Sequence, residues 1–255
     1  MAHARLGVNI DHVATLRQQR GESYPNVTRA ADVALATGAH QITIHLREDR
    51  RHIQDADVPS VHEMCKRFKL PLNLEIGTAP EIVEIACKER PEWVCLVPEK
   101  REERTTEGGL DLLDDKNFQK VKTCCEKIKK ESPETKISLF VEASPEVLER
   151  CLKLDADAVE IHTGEYARDF IDEKDLSSHL ELYRQGFGTI KSAGWGYHAG
   201  HGLTLASLEP LLEEGLFEEY NIGHWIISES VFLGLGHVIK EMNTLINKYP
   251  LKGSL

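Results

Sequence analysis

The sequence predicts an α/β fold, a (β/α)8 TIM barrel with extra helices that forms one domain over residues 1–255. Strand-like apolar runs alternate with helix-like segments along the whole chain, as in a parallel sheet covered by helices. The length of 255 residues suits one barrel, and no break in composition marks a second domain. A doubly wound sheet would show the same alternation. However, the turn after the first strand, Asn9 to His12, lacks the GxGxxG motif of dinucleotide-binding folds.

Eight strands are predicted from short runs of β-branched and apolar residues. In chain order they span residues 6–10, 41–46, 72–76, 93–97, 137–141, 158–162, 194–198 and 219–222. Helical periodicity predicts helices over residues 27–36, 60–68, 80–89, 117–130, 145–154, 174–192, 205–214 and 229–248. Pro80 and Pro145 stand at first helical positions, and Gly38 ends the first helix. The helix over 174–192 is longer than a barrel requires, which indicates an added element or an oligomer contact.

The composition argues against several kinds of partner. A hydrophobic content of 41% and a charged content of 29% are typical of a globular protein with a large core. The net charge of −11 argues against nucleic acid and anionic membranes, so an anionic substrate must meet a local cluster of cations. The six cysteines lack CxxC spacing and lie in periodic segments, which predicts reduced thiols in a cytoplasmic protein. We see neither a signal peptide nor an apolar run of membrane-spanning length.

Polar and titratable side chains gather where the predicted strands end, whereas the strand interiors are mostly apolar. Barrel enzymes carry their active sites at this edge. His45 and Arg47 lie two residues apart and therefore share a face, and an imidazole beside a guanidinium suits proton transfer next to a bound anion. The other strand ends contribute Asn9, Asp11, His12, Glu75, Glu99, Glu142, Glu160, His162, His198, His201, Asn221 and His224. Eight polar strand ends together predict an enzyme.

Several of these residues also have a purely structural interpretation. Glu75 could be an ordinary rim carboxylate, but partial burial in a barrel mouth would raise its pKa and favour a role as a general base. The glycines around His201 would let backbone amides approach a ligand, although a simple turn would show the same pattern. Gly223 follows the last strand, where phosphosugar barrels bind phosphate.

A metal site and an anion site compete as interpretations of this rim. Glu160 and His162 lie two residues apart and could form a metal pair, an acid–base pair or a structural hydrogen bond. We favour an anion site without a metal, because guanidinium groups repel cations and bind phosphate. The arginines concerned are Arg20, Arg47, Arg50 and Arg51. The charged run 99–107 would ordinarily be a solvated loop, but its threonines could close over a ligand as a lid.

Seven stretches of this chain resemble the pyridoxine 5′-phosphate synthase family, whose members close the ring of vitamin B6. They follow the order of the family and span almost the whole chain. The stretches are LGVNIDHVATLRQQRG (6–21), ITIHLREDRRHIQDADV (42–58), LNLE (72–75), CLVPEKREERTTEGGLD (95–111), VEIHTGEYA (159–167), AGHGLT (199–204) and NIGHWII (221–227).

The resemblance implies condensation of 1-deoxy-D-xylulose 5-phosphate with 3-amino-2-oxopropyl phosphate, without a metal or a redox cofactor, in a homo-octamer. It implies that His45 and Glu75 are general bases, that His201 is the general acid and that Glu160 stabilises a charged transition state. The residues implied to bind the amino-ketone phosphate or the product are Asn9, Arg20, Gly202, Gly223 and His224. Those implied to bind the deoxyxylulose phosphate are Asp11, His12, Arg47, His52 and Thr105.

The chain departs from the family pattern at three places. His198 stands where an asparagine is expected, Ser228-Glu229 replaces Gly-Arg, and residues 39–41 lack an Asp-Gly pair. Two other functions remain open. The first is another phosphosugar barrel enzyme of the aldolase or epimerase type, although no strand end carries an obvious Schiff-base lysine. The second is a phosphate-sensing barrel without catalysis, which would not need Glu75.

Overall fold

Eight parallel strands close into a barrel in the computed structural model, which describes residues 2–99 and 108–252. The strands are β1 (Arg5–Asn9), β2 (Gln41–His45), β3 (Leu72–Ile76), β4 (Trp93–Leu96), β5 (Lys136–Val141), β6 (Ala158–His162), β7 (Gly196–Gly200) and β8 (Glu219–Ile222). Each strand pairs with the next along the chain, and β8 closes on β1. The predicted fold class is confirmed.

The described part of the chain contains eleven helices, three more than a minimal barrel. They are α1 (Asp11–Arg20), α2 (Val27–Ala36), α3 (Asp57–Phe68), α4 (Pro80–Glu89), α5 (Asp115–Glu131), α6 (Pro145–Cys151), α7 (Gly164–Ile171), α8 (Ser177–Ser192), α9 (Leu205–Glu214), α10 (His224–Leu233) and α11 (Leu235–Ile246).

The sequence prediction missed α1 and α7 and merged α10 with α11. Helix α1 buries only Asp11, Val13 and Ala14, so it carries no regular apolar stripe. Helix α7 has eight residues, too few for a clear period. The single helix predicted over 229–248 was wrong, because Gly234 has a φ of 83° and separates two helices.

The predicted strand 194–198 was also placed too early. Gly194 lies in a turn with a φ of 79°, and β7 begins only at Gly196. His198 therefore lies in the middle of the strand, opposite Glu160 and Glu219, and not at the rim where we expected it. His198, one of the three departures from the family pattern, is buried inside the barrel. Its ring contacts that of Trp93 edge-on, with 5.5 Å between the ring centroids.

The barrel interior is more polar than the sequence indicated. On β2, Ile42 and Ile44 are fully buried, whereas Gln41 and Thr43 hydrogen bond over β1 to Asn221 of β8. The apolar core therefore lies between the strands and the helices, and a hydrogen-bonded layer fills the barrel itself. This layer leads directly to the carboxyl ends of the strands.

Two predictions from composition agree with the structure. All six cysteines are free and buried. Within residues 2–99 and 108–252, the helices are too short or too polar to span a bilayer.

Candidate active site

Asp11 joins the ends of β1 and β2 at the mouth of the barrel. Its backbone amide donates to Asn9 Oδ1 at 2.9 Å, and Asn9 Nδ2 donates to Asp11 Oδ2 at 2.8 Å. The other carboxylate oxygen, Oδ1, accepts from the backbone amide of His45 at 2.8 Å. Helix α1 thus begins with a carboxylate that fixes the backbone of a predicted catalytic histidine.

The ring of His45 lies between two glutamates. Strand pairing sets His45 directly opposite Glu75, and Nδ1 of the histidine lies 3.8 Å from Oε2 of that glutamate. On the other side, Nε2 of His45 lies 3.2 Å from Oε1 of Glu99. The three side chains are 7%, 16% and 8% exposed, in the order His45, Glu75, Glu99.

The two glutamates differ in their affinity for a proton. Burial raises the pKa of Glu75 well above its ordinary value, and the nearby carboxylates of Asp11 and Glu160 raise it further. Burial also opposes ionisation of Glu99, but hydrogen bonds from His45 and from the Glu48 amide outweigh it and lower the pKa of Glu99. Two carboxyl groups of different proton affinity that flank one imidazole form an arrangement suited to proton transfer.

Asp11, His45 and Glu75 also bring three potential metal-ligand atoms within 4.8 Å of one another. Both carboxylate oxygens of Asp11 already accept hydrogen bonds, as described above. A cation at this point would have to compete with those bonds. We therefore keep the predictions that His45 and Glu75 act as bases, that Asp11 binds substrate and that no metal is held here.

His201 lies on the opposite side of the mouth, beside a second histidine–glutamate pair. Its ring is 5.2 Å from that of His162, measured between centroids, and His162 Nδ1 lies 2.8 Å from Glu142 Oε1. The hydroxyl of Thr163 donates to the carbonyl oxygens of Gly200 and His201, both at 2.8 Å. The turn that carries His201 is therefore anchored from β6.

His201 has an unusual backbone conformation, and the pKa of its ring is strongly lowered. Its φ is 78°, a left-handed conformation that few residues other than glycine adopt, and Gly202 follows with a φ of 77°. Burial lowers the pKa of His201 to about 4, with further contributions from His162 and His224. The ligand-free site therefore holds His201 as a neutral imidazole at neutral pH.

Glu160 lies deeper in the barrel and does not contact His162. Its Oε2 accepts from Asn221 Nδ2 at 2.8 Å. Burial, together with the neighbouring carboxylate of Glu219, raises the pKa of Glu160 to about 8. The sequence left three interpretations of Glu160 and His162: a metal pair, an acid–base pair or a structural hydrogen bond. The structure supports none of them, because Glu160 hydrogen bonds Asn221 and His162 hydrogen bonds Glu142.

The predicted cluster around Arg47 and His52 borders the His45 side of the mouth. The rings of His45 and His52 are 6.0 Å apart between centroids, and burial lowers the pKa of His52. Arg47 is 11% exposed, and its buried Nε lies 3.6 Å from Asp49 Oδ1 but makes no hydrogen bond to a described residue. A buried guanidinium N–H without an acceptor is available to an incoming anion.

The second predicted anion site lies at the amino end of α10. Gly223 caps this helix, and a side chain in its place would come within 2.8 Å of Asn9 Cβ. The ring of His224 contacts that of His12 edge-on at 4.7 Å. Free amides at a helix amino terminus bind anions. Glu229 lies in the second turn of α10, about 7 Å further along the helix axis than His224.

Three predicted cationic residues lie apart from this arrangement. Arg20 ends α1 and is exposed. Arg50 pairs with Asp55 at 2.6 Å and Arg51 pairs with Asp49 at 2.6 Å, so both take part in surface ion pairs. Thr105 and the predicted lid segment 100–107 lie outside the described residues.

The sequence analysis placed Glu99 and Glu142 at strand ends but gave neither a role. Glu99 opens a charged run, which is the usual composition of a solvated loop. In the structure each of these glutamates hydrogen bonds a histidine of the mouth. A signal was present, since both directly follow predicted strands, but their partners are far away in the sequence.

The chain is similar to a known protein family over almost its whole length. The family model for the pyridoxal phosphate biosynthesis protein PdxJ matches residues 6–248. The pyridoxine 5′-phosphate synthase of Caulobacter sp. (strain K31) is 44% identical over 251 residues, which are 97% of this chain and 98% of that protein. That of Gluconobacter oxydans (strain 621H) is 44% identical over 243 residues, with 95% and 99% covered. A 3-keto-L-gulonate-6-phosphate decarboxylase from Vibrio cholerae aligns with a TM-score of 0.64 at 10% identity, with 97% and 99% covered, which shows the barrel fold alone.

Proposed function

The chain belongs to the PdxJ family of pyridoxal phosphate biosynthesis proteins, and from this premise we propose the reaction that it catalyses. It condenses 1-deoxy-D-xylulose 5-phosphate with 3-amino-2-oxopropyl phosphate, through a Schiff base, to pyridoxine 5′-phosphate, inorganic phosphate and two molecules of water. The observation that carries the proposal is the position of His45 between Glu75 and Glu99, at a mouth bordered by two anion-binding regions. Ring closure by imine formation and dehydration requires repeated proton transfers of this kind.

Each phosphorylated substrate has a binding region in this proposal. Arg47 and His52 hold the phosphate of the deoxyxylulose substrate, and Asp11 and His12 contact its sugar chain. The amino end of α10, with Gly223 and His224, holds the amino-ketone phosphate together with Gly202. The buried Nε of Arg47 supports the first assignment, since it makes no hydrogen bond to a described residue; a phosphate there would displace the Asp49 carboxylate, which lies 3.6 Å away.

Proton transfer is divided among four residues. Glu75 and His45 act as bases, and the 3.8 Å between them allows a proton to pass from one to the other with a small movement. His201 acts as the acid. Although the pKa of His201 is about 4 without ligand, two phosphate groups bound nearby would raise it and favour the imidazolium.

In this proposal the carboxyl group of Glu160 ionises when a positive charge forms beside it. Its pKa of about 8 means that it is mostly protonated at neutral pH. A cationic imine above it would favour the carboxylate form, so ionised Glu160 would stabilise the intermediate as it forms.

The resemblance and the composition also support a cytoplasmic homo-octamer. Val231, Phe232 and Leu233 are 71%, 81% and 49% exposed at the end of α10, and such an apolar surface is suited to burial between subunits.

The direct test is to incubate the purified protein with both substrates and to measure pyridoxine 5′-phosphate by absorbance and released phosphate by a coupled assay. We expect both products in equal amounts. Turnover of a single phosphosugar without its partner would indicate an aldolase or epimerase. Binding of phosphosugars without turnover would indicate a sensing barrel.

A further inference from the structure

The carboxylate of Glu99 connects the side chain of His45 to the backbone of the neighbouring loop. Its Oε1 lies 3.2 Å from His45 Nε2, and its Oε2 accepts from the Glu48 amide at 3.0 Å. Gly77 makes room for this side chain, because a Cβ there would approach Glu99 Cδ to 2.9 Å. Each oxygen of the carboxylate thus has its own donor, and the group is packed in place.

These contacts determine which nitrogen of His45 carries the proton. An ionised carboxylate can only accept hydrogen bonds, so the ring nitrogen facing Glu99 must be the donor. The neutral ring then has its proton on Nε2 and its lone pair on Nδ1. Nδ1 is the nitrogen that faces Glu75, so the lone pair points to the side on which a base is needed.

We propose that Glu99 is a positioning residue for the catalytic base: it keeps the proton of His45 on Nε2 and leaves Nδ1 free toward Glu75. This inference deepens the proposed function and rests on it for the role of His45. The position of the proton itself can be measured without any substrate.

A glutamine at position 99 would reverse the arrangement. Its amide offers one acceptor and one donor, whereas the carboxylate offers two acceptors. The Glu48 amide can only donate, so the glutamine oxygen would face it and the NH₂ group would face His45. An NH₂ donor selects a ring with its lone pair on Nε2 and its proton on Nδ1. Glu99→Gln therefore places the proton on the wrong nitrogen with little change in shape.

The experiment is solid-state ¹⁵N NMR of the full chain labelled in its histidines, with the His45 signals assigned by their loss in His45→Asn. We expect protonated Nε2 in the wild type and protonated Nδ1 in Glu99→Gln at neutral pH. We also expect kcat for pyridoxine 5′-phosphate formation to fall about 10²-fold with little change in KM. The matched control is Glu81→Gln. Glu81 lines the same cavity as Glu99, and its carboxylate lies 3.5 Å from Arg50, so its replacement should leave the position of the His45 proton and kcat unchanged.

An unchanged position of the His45 proton in Glu99→Gln would overturn the inference, whatever the activity. A loss of activity without that change would assign Glu99 a merely structural role. If the proton moves as expected but the wild type forms no pyridoxine 5′-phosphate, the proposed function fails while the positioning of His45 by Glu99 stands.

Discussion

Replacing Asn221 by leucine should remove the centre of the polar layer inside the barrel. Asn221 Nδ2 donates to Glu160 Oε2 at 2.8 Å and to Glu219 Oε1 at 3.2 Å. Its Oδ1 accepts from Gln41 at 3.2 Å and from Thr43 at 3.1 Å. Leucine is similar in size to asparagine but forms no side-chain hydrogen bond. Each of the four partners would therefore lose one hydrogen bond. Burial opposes ionisation of Glu219, but its pKa is lowered by His198 and Arg5, so one of those partners is a buried charge.

We expect Asn221→Leu to lower the free energy of unfolding by about 3–5 kcal/mol, the range for breaking a buried charged network. This corresponds to a decrease in melting temperature of about 10 °C. The assay is urea and thermal unfolding followed by circular dichroism at one protein concentration.

The matched control is Asn73→Leu. Asn73 is equally buried, but it has one long bond of 3.4 Å to Thr43, and its Oδ1 lacks a partner among the described residues. Its replacement should cost less than about 1 kcal/mol. Equal losses in the two variants would refute the reasoning.

Three further predictions concern charge at the site. The pKa of Glu160 is about 8 in the folded protein against 4.5 ordinarily, so unfolding releases a proton, and the free energy of unfolding should fall as the pH rises from about 4.5 to 8. Glu160→Gln should flatten that slope in denaturation measured at several pH values, and an unaltered slope would contradict the assignment. Arg47→Lys should raise KM for the deoxyxylulose phosphate about tenfold in steady-state kinetics with little change in kcat, because lysine cannot reproduce the guanidinium contact; an unchanged KM would remove Arg47 from the phosphate site. Treatment with EDTA should leave turnover unchanged, and a loss restored by Zn²⁺ or Mn²⁺ would make Asp11, His45 and Glu75 a metal site.

The barrel was predictable because its signal is local and repeated. Three strands, Leu72–Ile76, Ala158–His162 and Glu219–Ile222, have the predicted bounds, since apolar and polar residues alternate along most of each. Helix α1 was missed because it buries few residues and follows its strand after one residue. The polar layer was missed because alternation along one strand does not show that Gln41 will meet Asn221, 180 residues later.

The sequence identified the strand ends that form the candidate site, but it did not show which side chains contact one another there. His45 and Glu75 were both identified, and strand register explains why they meet. Glu99 and Glu142 had no assigned role, because a glutamate that follows a strand looks the same in sequence whether it faces water or an imidazole. Which carboxylate keeps its proton depends on burial, which a local pattern does not show.

The central claim is that Glu75 and His45 move the protons of the condensation. The most direct measurement is single-turnover formation of pyridoxine 5′-phosphate by Glu75→Gln and by His45→Asn, with both substrates in excess of their dissociation constants. Each change should slow product formation by about 10²- to 10⁴-fold, while the circular dichroism spectrum and substrate binding stay close to those of the wild type. Near-normal turnover in either folded variant would contradict the account.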